Sequence, residues 1–159
     1  MRHCRSIPRQ VNRAFTILEL VMVLVALALL AAVAAPRYAS SLANYHVDAA
    51  ARRVAADLAF VQAQARATSK PQTITFTPAG LRYQVVAVSG LDNRAGGYAV
   101  DLSADPYRLT GLTAKFGTKT QITFDQYGTP DNAGTVTVAV GTTSKTVTLD
   151  AATGKLTVK

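Results

Sequence analysis

The sequence predicts an α+β protein, in which one long N-terminal helix packs on an antiparallel β-sheet domain. Three observations carry that expectation. Residues 15–35 are apolar apart from one carboxylate. Residues 37–68 contain neither proline nor glycine, and eleven of residues 36–69 are alanine. All ten glycines lie between Gly80 and Gly154, and seventeen of the nineteen threonines follow Pro71. Alanine without glycine favours helix, whereas threonine and valine punctuated by glycine favour strands and turns. The 159 residues suffice for one domain with a real core.

Residues 15–35 read FTILELVMVLVALALLAAVAA, with Glu19 as the only charge. As a helix they extend roughly 31 Å at about 1.5 Å per residue, which matches the roughly 30 Å hydrocarbon core of a bilayer. Arg2, Arg5, Arg9 and Arg13 precede the run, and the next base is Arg37. That asymmetry predicts a single span with the N-terminus in the cytoplasm and the remainder across the inner membrane. A secretory signal peptide also has a basic start and an apolar stretch, but its apolar region usually covers ~7–15 residues. An acid inside the apolar run costs a few kcal/mol, so it is rarely there without a role or a partner. With the leader attached, Glu19 can snorkel to the interface. If the chain is cut just before Phe15, Glu19 becomes the fifth residue of a helix with a free amine. The amine of one helix then compensates the acid of its neighbour.

These residues resemble a known signal. Arg13-Ala14-Phe15-Thr16-Ile17-Leu18-Glu19-Leu20 is similar to the prepilin signal of type IV pilins and type II secretion pseudopilins. The resemblance implies a pilin-like fold. It also implies removal of the leader by an inner-membrane prepilin peptidase between Ala14 and Phe15, N-methylation of Phe15, and pairing of Glu19 with a neighbour's N-terminus. Pro36 becomes mature residue twenty-two, where many members also carry proline. Ala14 stands where the family strongly prefers glycine, which bears on the rate of processing. Ala28 stands where members often have a mid-span glycine, which bears on packing detail. The mature product has 145 residues, no cysteine, and thirteen bases against nine acids.

Beyond the span, Val47, Ala51, Val54, Leu58, Val61 and Ala65 fall at steps of four and three and draw one apolar stripe. Asp48 with Arg52 and Arg53 with Asp57 form i,i+4 pairs elsewhere on the helix surface. Pro36 cannot donate to the carbonyl of Ala32, so a kink or a loosened turn is expected in a helix running from Phe15 to Ser69, roughly 80 Å in all. Candidate strands follow at 73–77, 82–88, 98–102, 121–125, 135–140, 145–149 and 155–158. Ile74/Phe76, Val136/Val138/Val140, Val147/Leu149 and Leu156/Val158 alternate with threonine. Short links at 78–80, 141–144 and 151–154 predict antiparallel hairpins, and one apolar face per strand predicts a sheet covered by the amphipathic helix. Residues 89–97, and more loosely 103–120, are expected to be excursions. Four segments follow: leader 1–14, transmembrane helix 15–35, amphipathic helix 36–70 and periplasmic β-rich domain 71–159.

The second half narrows the resemblance. Ala63-Gln64-Ala65-Arg66, a Thr-Ile-Thr-Phe strand, Ile-Thr-Phe-Asp-Gln-Tyr-Gly at 122–128 and a terminal Thr-Gly-Lys-Leu-Thr-Val resemble the GspH/FimT branch, which holds H-type minor pseudopilins and FimT-like minor pilins. The partners implied are the peptidase, other pilins or pseudopilins in a filament, the inner membrane and secreted cargo.

Other chemistries find less support. Two histidines (His3 and His46) and one cysteine (Cys4) exclude a His/Cys zinc cage and an intrachain disulfide. No cofactor, metal or catalytic residue is assigned. Mature His46 stands alone and reads as a solvated helix residue, with no nucleophile arrangement or phosphate-cradling glycine loop in view. Asp125, Asp131 and Asn132 carry oxygens of the kind calcium takes, and some pseudopilins bind calcium. Their spacing matches no calcium loop, so turn capping is preferred. The net charge of +8 invites a nucleic-acid reading, and some FimT-like pilins capture DNA. Such proteins carry Gly-Arg-x-Arg near the C-terminus. Here Gly154-Lys155-Leu156-Thr157-Val158-Lys159 keeps only the glycine and one base. Lys145, Lys155 and Lys159 supply a phosphate-binding cluster only if their strands are neighbours. The reading that follows is a non-enzymatic minor pseudopilin of a type II secretion pseudopilus. Its alternative is a FimT-like minor pilin in pilus biogenesis or DNA uptake. A membrane-anchored binding protein that does not polymerise predicts no cleavage at all.

Overall fold

The computed structural model describes residues 15–85 and 97–159. The chain falls into two compact units divided between Tyr38 and Ala39. One helix, α1, runs Ile17–Thr68 with Pro36 inside it. In the first unit the helix is apolar and its side chains are exposed from Phe15 to Tyr38. Thr16 caps its start: Thr16 Oγ1 accepts the Glu19 N–H at 3.2 Å, and Thr16 O accepts the Leu20 N–H at 3.1 Å. Those bonds satisfy donors that a helix N-terminus otherwise leaves open.

In the second unit the expected stripe is the buried face of α1. Val47, Ala51, Val54, Leu58, Val61 and Ala65 are all at most 1% exposed, with Ala50 beside them. Eight strands follow: β1 Gln72–Thr77, β2 Arg82–Val85, β3 Tyr98–Asp101, β4 Gly111–Phe116, β5 Gln121–Phe124, β6 Gly134–Val140, β7 Thr143–Leu149 and β8 Leu156–Val158. They form two antiparallel four-stranded sheets, ordered β3-β2-β1-β5 and β4-β6-β7-β8. The expected hairpins are present. A 3-10 turn at Pro78–Gly80 joins β1 to β2, and β6–β7 and β7–β8 pair as sequence neighbours.

Three expectations change. The single sheet is two, and Phe76 of one stacks on Phe116 of the other with ring centroids 5.7 Å apart. Within the stretch 103–120, read as an excursion, lies β4. Leu112, Ala114 and Phe116 are buried there while Thr113 and Lys115 are exposed. That period-two pattern is real, but alanine and lysine are weak strand formers. The 141–144 link shortens to Gly141 and Thr142, because Thr143 and Ser144 already pair in β7. The excursion at 89–97 and the end of the 82–88 strand fall outside the described residues, apart from Gly97.

Candidate assembly site

The N-terminal motif residues that the structure describes lie on an uncovered helix. Phe15 is 73% exposed, and no described apolar side chain from Ile17 to Val33 is buried. Each Leu, Ile, Val or Phe left in water forgoes about 1.5–3 kcal/mol of transfer free energy. A helix of this length and apolarity is compatible with a single-pass membrane anchor. Glu19 sits in its first turn, where a carboxylate is favoured by the helix dipole. Thr16-Ile17-Leu18-Glu19 also has the spacing of a capping box, a signal at these positions that the apolar pattern alone conceals. Ala14 and the leader fall outside the described residues.

In the second unit the segments that carry the branch resemblance meet at the C-terminal end of α1. Asp125 Oδ1 accepts the N–H groups of Tyr127 at 2.9 Å and Thr129 at 2.7 Å, closing a tight turn. Arg66 Nε donates to Tyr127 O at 3.0 Å, and Gln62 Nε2 donates to Gly128 O at 2.8 Å. Gly128 (φ +75°) and Gly154 (φ +65°) occupy left-handed backbone. A Cβ at Gly128 would collide with the Arg66 side chain, and one at Gly154 with that of Gln62. The helix end is therefore clamped by two turns that admit only glycine comfortably.

Asp125 thus works as a turn acceptor, and Asp131 Oδ1 takes the Thr123 N–H at 3.2 Å. Among the described residues no group of three or more His, Cys, Asp or Glu is placed to hold a metal ion.

Two helix residues differ from expectation. His46 is not simply solvated: it is half-buried, and its Nδ1 lies 2.5 Å from the Pro106 carbonyl oxygen. Asp57 is not on the open surface. It is 6% exposed and accepts from Tyr83 Oη at 2.5 Å, Tyr98 Oη at 2.8 Å and Arg53 Nε at 3.2 Å. Burial and then the Asp57 carboxylate push both phenols up, that of Tyr98 to about 12. The signal was present, since position 57 falls three after Val54 and four before Val61, inside the apolar stripe.

The three lysines divide between two faces. Lys145 shares a face of β7 with the buried Val147 and Leu149 and pairs with Asp48 on α1. Arg52 Nε holds the other Asp48 oxygen at 2.7 Å. Lys145 and Arg52 together hold the Asp48 carboxyl below the usual carboxylate range. Lys155 and Lys159 project to the opposite side of the sheet. There they line a concavity of about 400 Å³ with Thr148, Asp150, Thr153 and Thr157. The strands are neighbours, as a cluster requires, but the alternation of side chains separates Lys145 from the other two.

A long helix on antiparallel sheets is the pilin-like architecture. Over residues 50–153 the chain matches the sequence model for type II transport protein GspH, and it belongs to that family. No curated protein matches it significantly. Its fold is similar to that of the type IV minor pilin FimU of Pseudomonas aeruginosa strain PAO1. The P21 crystal structure gives a TM-score of 0.55 at 17% identity, covering 73% of this chain and 90% of that one. The P65 form gives 0.50 at 19% identity, covering 71% and 92%. Family and fold are those of structural pilin-like subunits that assemble with other pilins or pseudopilins.

Proposed function

We propose that the chain is a minor pseudopilin of a type II secretion pseudopilus. In this reading the N-terminus enters the inner membrane from the cytoplasmic side and the domain beyond the span faces the periplasm. Prepilin peptidase cleaves between Ala14 and Phe15 and methylates Phe15. The helix is then extracted from the lipid into a short filament that supports passage of secreted cargo. Pro36 introduces a kink or a loosened turn near the end of the membrane-embedded part of the helix.

One observation carries the reading: a lone carboxylate, Glu19, five residues into an uncovered apolar helix, counted from Phe15. In lipid or in a bundle of such helices that charge needs a cation. The amine freed at Phe15 of a neighbouring subunit supplies it, and the match repeats along a filament. Glu19→Leu tests this in cells that assemble the parent chain. The variant is expected to be inserted and processed but to fail in filament formation. Filaments as abundant as the parent's would overturn the reading.

A minor type IV pilin is the second reading, favoured by the FimU-like fold. Its DNA-binding form rests on Lys155 and Lys159 once Lys145 is engaged by Asp48. Two phosphate contacts give only a shallow salt dependence, with a slope of about −0.9 per contact. Fluorescence anisotropy with labelled duplex DNA across a salt series distinguishes it from the first reading.

A further inference from the structure

Sheet β4-β6-β7-β8 ends on β8, and no described strand pairs with its far side. Thr146 and Lys159 exchange both backbone bonds at 2.9 Å, and the Asp150 N–H donates to Lys155 O at 3.0 Å. Bonded and non-bonded pairs alternate along an antiparallel ladder. The Lys155 carbonyl and the backbone groups of Thr157 and Lys159 therefore face β7, the Lys155 N–H donating to Thr153 Oγ1 at 3.3 Å, while the N–H and C=O of Leu156 and Val158 point away from the sheet. The side chains sort as cleanly. Leu156 is half-buried against the core and Val158 is 37% exposed, both on the inner side. Lys155 and Lys159 stand on the outer side within the concavity already described. Its one acid, Asp150, is turned to the Thr153 N–H and hydroxyl, each at 2.8 Å.

We propose that the free edge of β8 accepts an extended segment of a partner protein in which acidic residues alternate with apolar ones. Added-strand residues opposite Lys155 and Lys159 project to the outer side, where carboxylates meet two ammonium groups. Those opposite Leu156 and Val158 project inward and cover the exposed Val158 side chain. Backbone bonds supply the attachment and the alternation supplies the choice of partner. A second copy is disfavoured, because antiparallel pairing of two β8 strands about Thr157 places Lys155 against Lys159 of the other copy. The same lysines thus reject self-pairing and select an acidic strand. This site is independent of the span and of the secretion reading.

The test uses the full chain in lipid nanodiscs with a capped heptapeptide alternating glutamate and valine. Site-resolved amide hydrogen exchange is expected to slow at least about tenfold at Leu156 and Val158 at saturating peptide, with a lysine–valine peptide inert. The variant K155E/K159E is expected to reverse the preference, binding the lysine peptide instead. K155Q/K159Q keeps the exposed edge uncharged and is expected to weaken glutamate-peptide binding without reversal. Unchanged exchange at both amides in the parent chain overturns the proposal whatever the variants do. Protection of those amides by self-association without peptide, or displacement of the peptide by duplex DNA, overturns it as well.

Discussion

Asp57 gathers two phenol hydroxyls and a guanidinium under the first sheet, so its carboxylate joins α1 to β2 and β3 at one point. Asp57→Ala would strand those donors in a buried site. The expected loss is about 3 kcal/mol of unfolding free energy, read from urea denaturation. The phenols also set an alkaline limit. The Tyr98 pKa rises from 10.0 unfolded to about 12 folded, so the neutral phenol's contribution is complete below pH 10 and is lost between pH 10 and 12. Stability measured in steps from pH 8 to 12 should be level at first and then fall, with the fall reduced but not abolished in Tyr98→Phe, because the Tyr83 phenol is raised as well. At this scale the sequence was partly legible. Asp48 and Arg52 pair as an i,i+4 rule expects. Asp57 and His46 acquire their surroundings from strands and loops tens of residues away, which no local spacing records.

Among the elements, α1 and the three sequential hairpins were readable because their signals are local: a 3.6-residue stripe, period-two alternation and short links. β4 was not, since Ala114 and Lys115 weaken its propensity and its pairing with β6 is long-range. The β1–β5 pairing likewise joins strands separated by more than forty residues, and the division into two sheets depends on it. β4 nevertheless supplies Phe116, 1% exposed and stacked on Phe76 across the sheets. Phe116→Ala is expected to cost about 3–5 kcal/mol, visible as a lowered urea midpoint with little change in slope. A loss below 1 kcal/mol would mean that the two sheets do not depend on this contact.

At the level of the whole molecule, a β-rich domain with its own core and a helix without one share a single chain. The domain carries the family match, and the uncovered helix carries the reading of assembly. Residues 1–14, on whose removal the compensating amine depends, lie outside the described residues. Intact-mass spectrometry of the protein purified from membranes addresses that point most directly. A chain that begins at Phe15 and carries one added methyl group is the expected result. A chain recovered with Met1 at its start would leave Glu19 without a cation and contradict it.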